Sequence, residues 1–411
     1  MKLLILTQYF PPEVGAPQNR LFELAVRLQA VGIDVTILTA MPNYPQMEIY
    51  KGYTGKKYVY EETAGLKIHR SSIFVSKDKS IIPRLRNYFS FVISSAFTGR
   101  KIPGYFDFLL CESPPLFLGY SAMYLSRRKK AKLIFNVSDL WPESAEKLGV
   151  VNNKALLGMA YRLEERLYRK SALVTGQTQG ICESIANRFP SVPTYWLPNG
   201  VDLDFYDPEK VKAANWRKEN NFLETDFILI YAGIIGIAQG LELILDAAKY
   251  FVDRPGIKFV LMGSGPEKER LLHKKETEQI TNVFFIDGVP KSQMPSILKS
   301  VNAAIIPLRK LDLFLGAIPS KIFESLAMKI PVLLGVDGEA KKLFIEKGDC
   351  GIYFEPENVL ALREAIILLE NDEKLAARLG ANGRQFVTQN FNRENIAKQF
   401  HQRLLMLLAT N

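Results

Sequence analysis

One pattern occurs twice along the 411 residues: short apolar stretches typical of buried β-strands alternate with segments of helical periodicity. Between the first two stretches, Leu21, Leu24 and Leu28 recur at helical spacing, and a glycine follows. Strands that alternate with helices predict a parallel sheet covered by helices on both faces. In the first half, the apolar stretches are 3–6, 35–38, 107–111, 132–137 and 172–176.

The pattern restarts after residues 198–208, which contain Pro-Asn-Gly and Asp-Pro and are typical of a connection. A chain of this length exceeds one typical core. We therefore predict two doubly wound α/β domains, residues 1–201 and 202–392, with a helix at 393–411 that packs back on the first domain. The second series of apolar stretches is 227–233, 258–265, 283–288, 303–308, 331–335 and 350–354.

Cysteine and histidine usage narrows the class of protein. The three cysteines are far apart and odd in number, which indicates a reduced, intracellular protein. The three histidines show no ligand spacing, so a zinc site is not expected.

The apolar run at 3–6 is too short for a signal peptide and predicts a first strand. No run approaches the ~18 apolar residues of a spanning helix, so we expect a soluble or membrane-surface protein.

A net charge of +10 and a pI near 9.2 suit anionic partners. We predict no nucleic-acid partner, because no recognised binding motif accompanies the charge. Residues 81–101 mix basic with aromatic and aliphatic side chains. They form either an amphipathic core helix or a surface that enters the bilayer interface. In the second case four cations would contact anionic lipid: Arg84, Arg86, Arg100 and Lys101.

Glycine-rich turns follow two strands of the second half, and a third segment, at 318–324, opens a helix. In parallel α/β sheets, ligands bind outside the carboxyl ends of strands, where glycines let the backbone approach them. Lys321 would begin the helix after Pro319 and Ser320, where free N–H groups suit a phosphate. Glu324, among apolar neighbours, could accept hydroxyl hydrogen bonds from a ribose; alternatively it caps its own helix and Lys321 lies at the surface.

These segments resemble the retaining glycosyltransferases of family 4, whose GT-B fold has two Rossmann-like domains facing each other across a cleft. The resemblance covers essentially the whole chain. The segments NVSDLWPES (136–144), YAGIIGIAQGLE (231–242) and AIPSKIFESLA (317–327) are most similar to the WbuB-like subgroup, which builds bacterial surface polysaccharides. Other matching segments are YFPPEVGAPQNRLFELAVRLQAVGIDVTILT, LPNGVDLDFYDP, MGSGPEKERL, NVFFIDGVPKSQMPSIL and PSKIFESLAMKIPVLLG.

The chain departs from the family pattern at four positions. Gly316 occupies the place of the first of two glutamates separated by seven residues, of which Glu324 is the second. Ile234 and Gln239 stand where many members have an arginine and a lysine. Ser138 replaces a common histidine. The expected replacement cations for a diphosphate are Lys321 and either Arg309 or Lys310.

The resemblance implies a UDP-sugar or another nucleoside-diphosphate sugar as donor, bound by the second domain without cofactor or metal. Lys321, Glu324, Arg309 and Asp139 would be the catalytic residues. The acceptor would be a glycan or an isoprenoid-diphosphate-linked glycan at the inner face of the cytoplasmic membrane. It would pass Gly15, Ala16, Asp139 and Glu143. Asp139 could instead orient the following turn. Donor-side residues would be Gly233, Gly236, Gly263, Gly265, Val289, Gly316, Ala317, Ile318, Pro319, Ser320, Lys321 and Glu324.

Three other functions compete with this interpretation. A nucleotide-sugar 2-epimerase of the same fold would use the donor without an acceptor, and a non-catalytic scaffold would lack turnover. A dinucleotide-dependent oxidoreductase would need the spacing G-x-G-x-x-G, which 231–240 does not show. Asp202 and Asp204 resemble a metal-binding acid pair, but their position in a turn favours a capping role. Activity is therefore expected to survive EDTA.

Overall fold

The computed structural model describes every residue except 14, 79, 148, 150, 213, 214, 410 and 411. It divides into two compact α/β units. The N-terminal unit comprises Met1–Asn199 and Arg393–Asn411, and the C-terminal unit comprises Gly200–Asn392. The two doubly wound, largely parallel sheets predicted from the alternating pattern are confirmed.

The N-terminal unit contains a sheet of eight strands in its described part, in the order β3-β4-β2-β1-β5-β6-β7-β8. All neighbours pair in parallel except β3 and β4, which are antiparallel. The strands are β1 Lys2–Leu6, β2 Asp34–Ala40, β3 Tyr58–Thr63, β4 Leu66–Ser71, β5 Phe108–Ser113, β6 Lys132–Val137, β7 Leu173–Gly176 and β8 Thr194–Trp196. The helices are α1 Ala16–Ala30, α2 Ile81–Lys101, α3 Gly119–Lys129, α4 Glu143–Lys147, α5 Lys154–Lys170 and α6 Gln179–Arg188.

The hairpin of β3 and β4 was not predicted, and neither was the short strand β8. β3 is an edge strand that buries none of its residues, so it shows no apolar run. β4 is buried but carries polar residues, His69 and Arg70. These are paired within the hairpin: the Tyr58 hydroxyl lies 2.8 Å from His69 Nδ1, and Arg70 Nε lies 2.6 Å from a Glu61 oxygen. Buried polar residues that find partners in this way resemble surface residues in a sequence.

In the C-terminal unit the described strands form a parallel sheet in the order β11-β10-β9-β12-β13-β14. Its strands are β9 Phe227–Ala232, β10 Ile257–Met262, β11 Val283–Ile286, β12 Ala303–Pro307, β13 Val332–Gly335 and β14 Gly351–Tyr353. Its helices are α7 Trp216–Glu219, α8 Glu242–Ala248, α9 Lys268–Thr277, α10 Met294–Leu298, α11 Lys321–Ala327, α12 Glu339–Lys341, which continues as a π-helical turn over Lys342–Lys347, α13 Val359–Asn371 and α14 Glu373–Asn390.

The last helix, α15 (Arg393–Ala409), belongs to the N-terminal unit. Its buried side chains Ile396, Phe400 and Leu404 lie in the same apolar cluster as residues of α1 and β1. The ring of Phe400 also stacks on that of Tyr195, with the centroids 5.9 Å apart. The chain therefore returns to its first unit after completing the second.

The strand order places a switch point at the centre of the C-terminal sheet. The loop after β9 leads to β10 on one side, and the loop after β12 leads to β13 on the other. Loops that diverge in this way leave a crevice at the carboxyl ends of the strands, which is where open α/β sheets bind ligands. The segments predicted to bind a nucleotide follow β9, β10, β11 and β12.

Helix α2 carries apolar side chains on two faces. Phe91 and Val92 are buried in the core of the N-terminal unit, as the core-helix interpretation requires. A second stripe faces outward: Ile82, Ile93 and Phe97 are 71%, 58% and 61% exposed. No described helix is long and apolar enough to cross a membrane.

Candidate functional site

The loops after β9 and β10 pack backbone against backbone. The Gly233 N–H donates to the Met262 carbonyl at 2.9 Å, and the Ile235 N–H donates to the Ser264 carbonyl at 2.9 Å. A Cβ atom added to Gly263 would lie 1.9 Å from the Gly233 oxygen, so no other residue fits there without movement. A Cβ atom added to Gly265 would likewise lie 2.3 Å from the Ile235 carbonyl oxygen. Close packing explains these two glycines, and it brings the predicted turns into one surface.

We expect Gly263→Ala to lower the melting temperature of the C-terminal unit by about 8 °C, because backbone strain and overlap together cost about 3 kcal/mol. Gly263 has a φ of +141°, which side-chain-bearing residues rarely adopt. Gly256→Ala, at the other end of β10, is the matched control because no heavy atom lies within 4 Å of its added Cβ. Differential scanning calorimetry measures both; equal melting temperatures would contradict the packing argument.

Lys321 is the first residue of α11 and reaches the turn after β9. Its Nζ lies 3.1 Å from the Cβ position of Gly233, 3.3 Å from the Tyr231 hydroxyl and 4.4 Å from the centroid of the Tyr231 ring. α11 begins here as predicted, but the Ser320 side chain makes no capping hydrogen bond. The helix has only seven residues, so the ammonium rather than the helix dipole supplies most of the positive charge.

The Lys321 ammonium lacks an ion-pair partner among the described residues, although it is partly buried. Its contacts are the aromatic ring and the hydroxyl of Tyr231. Burial lowers the pKa of Lys321 from 10.5 to about 8, while the Glu324 carboxylate acts in the opposite direction. A partly buried cation whose direct contacts are neutral is poised to gain a negatively charged ligand.

Glu324 lies one turn along α11 from Lys321 and is half-buried, whereas its neighbours Ile322, Phe323 and Ser325 are fully buried. Lys321 and Glu324 line the same small cavity of about 20 Å³, together with apolar residues of β9, α10 and β12. The structure therefore brings the predicted ammonium and carboxylate together at the centre of the sheet. It does not place Glu324 at the fully buried position that its sequence neighbours suggested.

The segment between β12 and α11 is held in place by backbone contacts. The Ala317 N–H donates to the Phe314 carbonyl at 2.9 Å, and the Glu339 N–H donates to the Leu315 carbonyl at 2.7 Å. Gly316, Ala317, Ile318, Pro319 and Ser320 are all half-buried, which leaves part of each open to a ligand. Val289, which follows β11 and Gly288, is half-buried as well.

Arg309 and Lys310, the two other predicted cations, have carboxylate partners. Arg309 Nε lies 3.5 Å from a Glu357 oxygen, and Lys310 Nζ lies 2.5 Å from a Glu355 oxygen. Arg309 lines a cavity of about 360 Å³ with Gly236 and Gly240, and Lys321 does not contribute to that lining. The larger cavity is thus adjacent to the Lys321–Glu324 pair but separate from it.

In the N-terminal unit the predicted acceptor-side residues lie at two loops. Gly15 precedes α1, and a Cβ there would lie 2.3 Å from Gln18 Oε1; Ala16 begins α1, and its side chain is outside the described residues. Asp139 follows β6 and accepts a 2.7 Å hydrogen bond from the Ser144 hydroxyl. Burial raises the pKa of Asp139, and that hydrogen bond partly offsets the rise. Glu143 pairs with Lys147 at 2.7 Å.

A family model described as glycosyl transferases group 1 matches residues 212–386, which is most of the C-terminal unit. Over almost its full length, the chain is 24% identical to the putative colanic acid biosynthesis glycosyl transferase WcaI of Escherichia coli K12, with 97% of this chain and 98% of WcaI covered. Residues 212–386 therefore form a group 1 glycosyltransferase domain. The chain has two units, each with a largely parallel sheet, and this is the GT-B fold.

Solved structures share the fold of this glycosyltransferase from end to end. The sucrose-phosphate synthase of Thermosynechococcus elongatus superposes with a TM-score of 0.76 at 17% identity and covers 100% of both chains. Anabaena HepE, solved with UDP and glucose, gives a TM-score of 0.72 at 16% identity and covers 99% of this chain and 100% of its own. These likenesses confirm the predicted GT-B fold.

This glycosyltransferase has a buried polar network that sequence reasoning missed. Arg20 of α1 pairs with Glu112 at the end of β5 at 2.6 Å, and both side chains are almost fully buried. Asn136 donates to the same carboxylate at 2.5 Å, and the Ser138 hydroxyl also donates to it. Ser138, which replaces the common family histidine, is therefore held by Glu112. The available signal was a carboxylate directly after the apolar run 107–111.

In the acid pair at 202–204 of this glycosyltransferase, Asp202 has the capping role that its position in a turn predicts. Asp202 Oδ1 accepts hydrogen bonds from the backbone N–H groups of Asp204 and Phe205 at 3.0 and 2.9 Å. Asp204 pairs with Lys210 at 2.9 Å. Across the described part of the chain, no three His, Cys, Asp or Glu side chains are arranged to hold a metal ion.

Proposed function

We propose that this glycosyltransferase moves a hexosyl or hexosaminyl group from a UDP-sugar to a lipid-linked or oligosaccharide acceptor, with retention of anomeric configuration. The product would belong to a bacterial surface polysaccharide, such as an exopolysaccharide, O-antigen or lipopolysaccharide. Support for the pathway comes from the name of the E. coli relative, and support for uridine comes from the UDP in the HepE structure.

The observation that carries the proposal is the Lys321 ammonium beneath the turn at Gly233. Gly233 is exposed and Lys321 forms no salt bridge in the described chain, so a diphosphate that approaches the turn would meet a cation that is not already held by a carboxylate contact. Glu324 lies one helical turn away, at a distance along the helix that suits a ribose attached to that diphosphate.

The reaction then needs charge stabilisation rather than a protein nucleophile. The bond between the sugar C1 and the diphosphate oxygen breaks, and the acceptor oxygen bonds to C1 on the same face. The acceptor proton passes to the leaving phosphate, whose developing charge Lys321 stabilises. Arg309 could add a second positive charge by exchanging Glu357 for phosphate, since an exposed pair at 3.5 Å is weak. No metal is required by this scheme.

On the acceptor side we assign binding to the N-terminal unit at Gly15, Ala16, Asp139 and Glu143. The raised pKa of Asp139 makes its carboxylate a suitable hydrogen-bond partner for an acceptor hydroxyl. The hydrogen bond from Ser144 also fits the alternative, in which Asp139 orients the following turn.

A ligand screen by thermal shift tests the donor assignment. UDP at about a hundred times its dissociation constant stabilises a native state by about 2.7 kcal/mol, which raises the melting temperature by about 5 °C. GDP, dTDP and ADP serve as comparisons. Conversion of a bound UDP-sugar to its C2 epimer without an acceptor would support the epimerase. Binding of a UDP-sugar with no hydrolysis or transfer would support the scaffold.

A separate test uses EDTA. Loss of transfer in EDTA that Mg²⁺ restores would contradict metal independence.

The outward stripe of α2 supports a further part of the proposal, peripheral binding to the inner face of the cytoplasmic membrane. Ile82, Phe89, Ile93 and Phe97 are exposed along one side of this helix. Exposed tyrosines of the adjoining helix α3 enlarge the apolar area. The cations at 84, 86, 100 and 101 are exposed too, a combination typical of surfaces that enter an anionic bilayer interface.

We expect the protein to float with liposomes that contain anionic lipid. Arg84→Glu together with Arg86→Glu should weaken binding to these liposomes by at least about 30-fold, because each of the two lost cations contributes about 1 kcal/mol near such a surface. Lys218→Glu with Lys347→Glu makes the same charge change in the C-terminal unit and should float like the wild type. Failure of the wild type to float, or equal loss in both double variants, would contradict the assignment.

A further inference from the structure

Tyr231 has a buried side chain beneath the proposed phosphate site. It is the fifth residue of β9, and only 1% of its surface is exposed. Its hydroxyl donates a 2.6 Å hydrogen bond to the Ile234 carbonyl, which fixes the turn that contains Gly233. The same hydroxyl lies 3.3 Å from Lys321 Nζ, and the ring lies under that nitrogen at 4.4 Å.

The chemistry of a tyrosine suits this position. A phenol has one proton to donate, and here that proton goes to the Ile234 carbonyl. The remaining oxygen lone pairs can therefore accept from the Lys321 ammonium. The ring face carries partial negative charge and attracts the same cation. Tyr231 thus holds an ammonium without contributing a formal negative charge.

Few of the side chains around Lys321 can stabilise its positive charge. Among the described residues, the titratable groups that act on it are Tyr231 from β9 and Glu324 from its own helix. The other elements that line the shared cavity present apolar side chains, among them Met294 and Leu298 of α10 and Ile306 of β12. Burial among these groups disfavours the charged form and the Glu324 carboxylate favours it, while Tyr231 is the group in direct contact with the ammonium.

We propose that Tyr231 is a positioning residue for donor binding: its ring and hydroxyl keep the Lys321 ammonium charged and directed at the turn where the leaving diphosphate lies. The inference rests on the proposed function of this site. It assigns the work of the missing loop cations at Ile234 and Gln239 to a tyrosine–lysine pair that approaches the same turn from beneath.

The assignment has a consequence for pH. With the pKa of Lys321 lowered to about 8, the free enzyme loses the ammonium proton as the pH rises through that value. The diphosphate binds the charged form, so donor affinity should fall on the alkaline side. Removing the hydroxyl removes a group that accepts from the ammonium, which disfavours the charged form further. The fall in affinity should then begin at a lower pH.

The test is isothermal titration of the protein with UDP from about pH 7 to about pH 9, a range that lies above the second phosphate pKa of about 6. We expect Tyr231→Phe to bind UDP about 5-fold more weakly than the wild type, as for one lost hydrogen bond, with the midpoint of the alkaline fall about half a pH unit lower. Tyr250→Phe is the control, since that exposed tyrosine also lies beside a cation, Arg363. Lys321→Arg should bind with little change across the range, because a guanidinium stays charged.

The outcomes distinguish the proposed function of the site from the positioning role of Tyr231. If wild-type protein does not bind UDP, or binds it equally well as Lys321→Ala, the proposed function of the site fails. If binding depends on Lys321 while Tyr231→Phe matches Tyr250→Phe in affinity and pH midpoint, the role of Tyr231 alone is overturned. An alkaline fall that persists unchanged in Lys321→Arg would also overturn it, since another group would then be titrating. A melting curve for each variant verifies that the native fold is present.

Discussion

Replacing Lys321 by alanine is expected to lower the rate of sugar transfer by about 10² to 10³-fold, the usual cost of removing one preorganised group that stabilises charge in the transition state. The loss should be large because the ammonium is already in place beneath Gly233 and forms no salt bridge in the described chain. Its positive charge is available to the leaving diphosphate without breaking an existing ion pair.

Lys329→Ala is the matched control for this variant. Lys329 lies just beyond the other end of α11, where it forms an exposed ion pair with Glu209. It should retain activity within about twofold, because exposed pairs contribute little. Initial rates with a UDP-sugar, or slow hydrolysis of the donor where the acceptor is unidentified, provide the measurement. Comparable rates for the two alanine variants would exclude the role given to Lys321.

Glu324→Ala should weaken donor binding by about 10 to 100-fold, since hydrogen bonds to a charged group contribute about 1.5–3 kcal/mol. The reason is specific to the sugar of the nucleotide: Glu324 is half-buried in the cavity shared with Lys321 and is proposed to accept from ribose hydroxyls. A general loss of structure would weaken all nucleotides equally, whereas loss of this contact would not.

The readout is therefore a comparison of UDP with its 2′-deoxy and 3′-deoxy forms. Wild-type protein should prefer UDP over at least one deoxy form by about tenfold, and that preference should disappear in Glu324→Ala. Glu346→Ala, an exposed acid of the turn that follows α12, should keep it. If Glu324→Ala still discriminates between the ribose and the deoxyribose forms, the carboxylate does not contact these hydroxyls.

Much of the fold follows from local features of the sequence. Continuous apolar runs such as 132–137 are predictable as strands because both faces of a parallel sheet are covered. The start of α11 at Lys321 was predictable from the preceding proline and serine. The β3–β4 hairpin was not, because an edge strand needs no apolar run and the buried Arg70 of β4 is satisfied by Glu61 across the hairpin.

The site, too, has features that the sequence predicts and features that depend on tertiary contacts. Lys321 and Glu324 are three residues apart on one helix, so their proximity could be inferred from helical spacing. Tyr231 is 90 residues from Lys321 along the chain. Its role depends on the tertiary contact between its side chain and the Lys321 ammonium, which no local pattern predicts. The ion pairs of Arg309 and Lys310 with Glu357 and Glu355 also depend on the approach of the loop after β14, which no local pattern reveals.

The most direct test is a crystal structure of the protein soaked with UDP. The account predicts the diphosphate against the turn at Gly233, with a phosphate oxygen within hydrogen-bonding distance of Lys321 Nζ and the ribose hydroxyls on Glu324. A nucleotide bound elsewhere, for instance in the cavity beside Arg309, with Lys321 still in contact with Tyr231 alone, would contradict it.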